Sequence, residues 1–229
     1  MAAGATVAPP RAAAPHVAVD VAVFTVRDGV LCVLLVTVRH GPFAGWWALP
    51  GGRVRAEESL DAAATRELSL QTGLTEIYLE QLYTFGHPAR DPQSRTVSVA
   101  YVALIDHHGR FGEAPATAKY ADVRWWPVER QPTLAYDHAA VVETGVDRLR
   151  AKLEYTNLVY TVLPRALTLG ELQPSYEAIL GRRLDRRNFR KKVLALGLLR
   201  RQRGIRRGAH RPAALYAFRK REPMLIAIL

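Results

Sequence analysis

The sequence predicts an α+β protein in two parts, a set of strands and helices consistent with a mixed sheet between helices, then a C-terminal winged helix-turn-helix. Three observations support this. Apolar, partly alternating runs at Val17–Leu35, near Ile77–Phe85 and at Val97–Ile105 read as strands around an Ala- and Leu-rich helical segment, Leu60–Gln71. Charge is segregated: residues 165–229 hold 17 of the 32 Lys and Arg but only 4 of the 21 Asp and Glu, so that region carries more than the whole net charge of +11. The same region keeps the hydrophobic periodicity of a folded domain rather than of a solvated basic tail.

Ser59 is placed to cap the first helix, Asp61 sits in its first turn where the helix dipole favours an acid, and Gly73 is a stop signal. A second helix is expected over Tyr136–Leu153, and Tyr155–Leu163 reads as a linker helix. In the basic region Thr168 caps a helix running to Leu180, with Leu169, Leu172, Tyr176, Ile179 and Leu180 on one side and Gly181 behind it. Asp185 caps another, Arg186–Leu196, in which Phe189, Val193 and Leu196 recur at core spacing. Two strand-like runs, LLRRQR and AALYAFR, flank a loop expected over Gly204–Arg211. Helix, turn, basic helix and basic hairpin follow the order of a winged helix-turn-helix, whose second helix enters the major groove while the hairpin tracks the backbone. Arg186, Arg187, Asn188, Arg190 and Lys191 are therefore candidates for the groove, and Arg206, Arg207 and Arg211 for phosphates or the minor groove. A segregated positive surface points to a polyanion and to salt-sensitive binding, although charge does not separate DNA from RNA.

The stretch Gly52–Leu74, GRVRAEESLDAAATRELSLQTGL, carries the most specific pattern. It resembles the Nudix box, G-x5-E-x7-R-E-U-x-E-E-x-G-U, with Gly52, Glu58, Arg66, Glu67, Leu68, Gly73 and Leu74 in register. The adjacent glutamates of the pattern are Leu70 and Gln71 here. In Nudix hydrolases that helix face holds carboxylates around Mg²⁺ or Mn²⁺, which neutralise a diphosphate and activate water. With Leu70 and Gln71 in those places one carboxylate of the triad remains, Glu67, so neither a resident metal nor efficient hydrolysis is expected. Glu57 and Glu58 offer at most a weak residual site. The resemblance also implies that Arg66 tethers the box helix to the preceding loop through Glu57 or Glu58.

The segments PFAGWWALPGG (Pro42–Gly52), QLYTFGHPARDPQSRTVSVAYVAL (Gln81–Leu104), RWWPV (Arg124–Val128) and LAYDHAAVV (Leu134–Val142) are similar to the ADP-ribose branch of that superfamily. Gly51 and Gly52 would allow close backbone approach to a ligand. Phe43, Trp47 and Tyr83 are candidates to stack on a base, and Arg39, Arg53 and Arg95 to meet a diphosphate. Taken with KLEYTNLVYTVLP (Lys152–Pro164) and LDRRNFRKKVLALGLL (Leu184–Leu199), the chain over residues 18–221 resembles the NrtR family, Nudix-related repressors of NAD metabolism. That resemblance implies a homodimer on palindromic double-stranded operator DNA, released by ADP-ribose or a related nucleotide as effector. An active Nudix pyrophosphatase with an accessory winged helix, and an RNA-binding nucleotide sensor, are the alternatives.

The expected layout is a flexible arm over 1–17, a ligand-binding domain over 18–154, a linker helix over 155–164 and a DNA-binding domain over 165–229. No run of 18 apolar residues predicts a membrane span. The Ala- and Pro-rich opening lacks the apolar segment of a signal peptide. The single Cys32 sits in a strand-like run and excludes an intramolecular disulfide, so the cytoplasm is the expected compartment. His87, His107, His108, His138 and His210 show no metal-binding spacing and read as surface or structural residues.

Overall fold

Strand alternation organises the first domain. In the computed structural model, which describes residues 14–106, 120–207, 212–222 and 224–225, β1 (His16–Arg27) turns into β2 (Val30–Val38) through Asp28 and Gly29. Both turn residues have positive φ, 49° and 75°, as a two-residue hairpin matched to strand twist requires. Val19, Val21 and Val23 of β1 face one side of the sheet, Ala22 and Phe24 the other, so each face builds its own core.

Short strands β3 (Trp47–Ala48) and β4 (Gly51–Arg53) precede α1 (Leu60–Thr72), after which come β5 (Glu80–Phe85), β6 (Thr96–Leu104) and β7 (Tyr120–Pro127). The sheet is mixed, in the order β3-β2-β1-β6-β5, with β4 paired to β1 and β7 to β2. β1 and β6 run parallel from His16↔Thr96 to Phe24↔Leu104, and the other pairings are antiparallel. RWWPV, read above only as a family segment, is mostly strand β7. Ala63, Ala64 and Leu68 of α1 close one face; α2 (His138–Tyr155) closes the other with Val142, Val146, Leu149 and Leu153.

The expected linker helix is not continuous. α2 runs on to Tyr155, Thr156 is extended at φ −138°, and Leu158–Val162 forms a single 3-10 turn. α3 (Leu169–Leu180) begins with a reciprocal capping box between Thr168 and Glu171 and stops at left-handed Gly181; α4 (Arg186–Ala195) is capped by Asp185. The hairpin is β8 (Leu199–Arg206) and β9 (Ala213–Phe218), and Leu167 adds a bridge to Tyr216. β8 therefore extends through Gly204–Arg206, which had been expected in the loop; a register shift between Arg201 and Ile205, with Gly204 at φ 98°, absorbs the irregularity. The expected arm is also shorter, because His16 and Val17 already belong to β1. Its residues 1–13, and the candidates His107, His108, His210 and Arg211, lie outside the described residues.

The two domains share one apolar core. Leu172, Tyr176, Ile179, Phe189 and Phe218 of the winged helix are continuous, through Val159, Val162 and Leu163, with Leu149 and Leu153 of α2. Among the described residues no helix is long and apolar enough to cross a membrane.

Candidate functional site: a nucleotide-sized cleft and a basic helix

A cleft of about 560 Å³ opens where β1, β4, α1 and the start of α2 meet, within the size range of small-molecule sites. Gly51 and Gly52 form part of its wall for steric reasons. A Cβ on Gly51 would collide with the Val19 carbonyl and lie 2.5 Å from Asp20 Oδ1, and one on Gly52 would run into the Glu67 carboxylate.

Behind the glycines, α1 is tied to its preceding loop. Arg66 donates from Nε and Nη2 to Glu58 at 2.8 and 2.5 Å, while Glu58 also accepts from the Arg55 backbone at 2.7 Å. Of the two expected tethers it is thus Glu58 that serves. The Arg66 hydrogen bonds lower the Glu58 carboxyl to about 2, outweighing its desolvation.

The carboxylate face of the Nudix pattern does not form. Leu70 is exposed, whereas Gln71 is buried, so the two substituted positions do not share an environment. Gln71 Oε1 accepts from the Gly51 N–H at 2.9 Å, and its Nε2 donates to the Gly51 carbonyl at 2.8 Å and to Glu67 Oε2. Glu67 Oε1 takes the Arg66 Nη1 at 2.6 Å. Both Glu67 oxygens are thus engaged, and an amide N–H₂ lies between the oxygens a cation would need. The donor set does not fit Mg²⁺ or Mn²⁺. Among the described residues no group of three His, Cys, Asp or Glu is placed to hold a metal.

A buried charge network underlies the opposite wall. Arg90 donates to Asp20 Oδ2 at 3.0 Å and, from Nε and Nη2, to Asp137 at 3.0 and 2.7 Å. Ser98 Oγ donates to Asp20 at 2.6 Å, and His138 Nε2 lies 3.3 Å from Asp20 Oδ1. His138 Nδ1 accepts from the Leu49 N–H at 2.9 Å, which assigns the proton of a neutral ring to Nε2. Burial alone would raise the Asp20 carboxyl; His138, Arg90 and Ser98 together hold it well below the usual carboxylate range. Tyr136, at a left-handed φ of 54°, stands at the cleft mouth with its ring 5.2 Å from His138 and 4.6 Å from Phe43.

Of the expected ligand residues, Gly51, Gly52, Arg53 and Glu67 line the cleft; Arg39, Phe43, Trp47, Tyr83 and Arg95 do not. Trp47 is packed on Trp126 at 5.3 Å with Arg124 over its ring. Tyr83 lies on the edge strand β5 against Phe85. Phe43 sits behind the cleft wall, against Tyr136 and the cluster that holds Val38 and Ala48, Arg39 is exposed outside it, and Arg95 turns back to the Thr96 carbonyl. The residues missed are Asp20, Arg55, Arg90, Asp91, Tyr136 and His138. Tyr136 and His138 stand within the LAYDHAAVV segment, and Arg90 and Asp91 within Gln81–Leu104; those family segments were the available signal.

The second surface is α4. Phe189 and Val193 face the core, which leaves Arg186, Arg187, Asn188 and Lys191 exposed and Arg190 half-buried on the flank. None of the four cations forms an ion pair among the described residues. On the wing, Arg207 is exposed, but Arg206 is engaged with Glu171 and the Ala166 carbonyl, which binds the wing to the first turn of α3.

Residues 14–145 match the NUDIX domain model, and residues 159–218 match the NrtR DNA-binding winged helix domain. The chain is 35% identical over 209 residues to the ADPR responsive transcriptional repressor NtrR of Acinetobacter baylyi, covering 89% of this chain and 82% of that protein. It belongs to the NrtR family. Shewanella oneidensis NrtR in complex with a 27mer DNA superposes with a TM-score of 0.76 at 35% identity, over 89% of this chain and 93% of that one. The NUDIX domain of the same NrtR, complexed with ADP ribose, matches 62% of this chain and 94% of its own at a TM-score of 0.55 and 35% identity. NrtR membership thus extends over both the cleft and the basic helix.

Proposed function

We propose that the protein is a bacterial transcriptional repressor of NAD biosynthesis or salvage genes, whose hold on operator DNA is released by ADP-ribose or a related nucleotide. The observation that carries this reading is the pairing, across one core, of a nucleotide-sized cleft with an unpaired basic helix face. Two copies of α4, from a homodimer, enter successive major grooves of a palindrome, with Arg187, Asn188 and Lys191 facing the bases and Arg186 and Arg190 at the flanks. Arg207 and Arg211 meet phosphates. In the cleft Arg53 and Arg55 meet the diphosphate, Gly51 and Gly52 let it approach the backbone, and Tyr136 stacks on a ring. Such a regulator works in the cytoplasm.

The effector releases DNA only by favouring a geometry that the operator does not, and the operator then weakens the effector by the same factor. Without a carboxylate at 70 or 71 the cleft binds nucleotide without cleaving it. A gel shift on DNA upstream of neighbouring NAD genes, with and without ADP-ribose, tests the reading. A shift that ADP-ribose reverses is expected. Indifference to duplex DNA at modest ionic strength, with ready release of AMP and ribose 5-phosphate in Mg²⁺, overturns it.

A further inference from the structure

The Nudix resemblance implies a cation where Gln71 now stands, buried directly behind the cleft residues Gly51 and Glu67, and the geometry there says what took over. Three oxygens would meet at that spot if residue 71 were glutamate: its own, the Gly51 carbonyl and Glu67 Oε2. Oxygens alone repel one another, and a hard cation is what normally reconciles them. Glutamine keeps the carboxylate's shape but turns a two-proton donor toward the other two oxygens, while its remaining oxygen takes the Gly51 N–H at 2.9 Å. The side chain is buried, so this amide is fixed rather than one of many surface rotamers. On the other side Arg66 holds the second Glu67 oxygen at 2.6 Å.

We infer that Gln71 is a built-in substitute for the divalent cation: its amide clamps the Gly51 turn to Glu67 and shapes the cleft to take a nucleotide diphosphate in the absence of metal. The positive charge a diphosphate needs comes from Arg53 and Arg55 on the cleft wall, both exposed and without an ion pair among the described residues. Gln71 is a positioning residue; it acts through Gly51 and Glu67. The nucleotide half of the inference rests on the effector reading above, whereas the metal half does not.

The full-length protein and the Gln71→Glu variant are titrated with Mn²⁺ alone, followed by the electron-spin signal of the free ion. The wild type is expected to take up no Mn²⁺ in the millimolar range, and Gln71→Glu to bind it at least roughly tenfold more tightly, because it gains an oxygen and a charge. In parallel, calorimetric binding of ADP-ribose to the wild type is measured in Mg²⁺ and in chelator, with equal affinity expected. Mn²⁺ binding by the wild type as tight as by the variant, or loss of ADP-ribose binding in chelator, overturns the inference. Failure to bind ADP-ribose in either buffer overturns the effector reading instead, and the Mn²⁺ titration then decides the role of Gln71. If Gln71→Glu does not fold, the wild-type titration and the chelator comparison decide it alone.

Discussion

Arg150 Nε donates to the backbone carbonyl of Ile179 at 3.2 Å, joining α2 of the ligand-binding domain to the last turn of α3 in the winged helix. Arg150 also faces Asp147 at 3.6 Å, on a partly exposed side chain. Because α2 begins at His138 on the cleft wall, one rigid element spans from the cleft to the last turn of α3.

Arg150→Ala should therefore loosen coupling more than either binding event. A half-exposed hydrogen bond of this kind contributes about 1 kcal/mol, or roughly fivefold in the ratio of operator affinities with and without ADP-ribose. Fluorescence anisotropy on operator DNA at several nucleotide concentrations measures that ratio. An unchanged ratio would remove Arg150 from the path.

Asp20 makes stability depend on acid. A carboxyl held below its ordinary value of 3.8 supports the fold at every pH above that value, and the support fades as pH falls below it toward the depressed folded value. Unfolding followed by urea should show stability dropping below about pH 4, with a shallower drop in Asp20→Asn. That variant, which leaves Arg90 with Asp137 alone, should lose about 3 kcal/mol at neutral pH. Glu58 contributes to the same acid limb, being lowered to about 2.

The basic residues of the winged helix should separate into two kinds. Arg187→Ala and Lys191→Ala should weaken operator binding with little change in melting temperature, and Arg207→Ala should lower the salt slope by about one phosphate contact. Arg206→Ala should instead lower the melting temperature, because it frees Glu171 and the Ala166 carbonyl at the start of α3. Binding and melting curves on the same four proteins distinguish the classes.

Gly145 in α2 sets a competition of known sign. Alanine favours a helix interior over glycine by about 1 kcal/mol. A Cβ there, however, would stand 2.8 Å from Phe24 Cε2, and overpacking a core costs about 1–3 kcal/mol. Gly145→Ala should be net destabilising by about 1 kcal/mol. A stabilised variant would mean that Phe24 moves aside freely.

Local signals carried much of the architecture. Ser59, Thr168 and Asp185 cap the helices they were read to cap, and the apolar spacing of Phe189 and Val193 gave the correct buried face of α4. Half of the cleft was hidden because its charges meet only after folding: Asp20, Arg90 and His138 lie on a strand, a loop and a helix far apart in the sequence. The aromatic candidates lie off the cleft for a related reason. A ring's chemistry suits a nucleotide base and a neighbouring ring equally, and only tertiary packing sends Trp47 to Trp126 and leaves Tyr136 at the cleft mouth.

The amide of Gln71 has a consequence for what a cell could learn from this cleft. A dissociable ion comes and goes with its supply, and magnesium freed or captured by ATP would alter any sensor that depended on it. A hydrogen-bond donor fixed to the polypeptide is present once in every chain at all times. Occupancy would then report the nucleotide alone, undisturbed by changes in free magnesium.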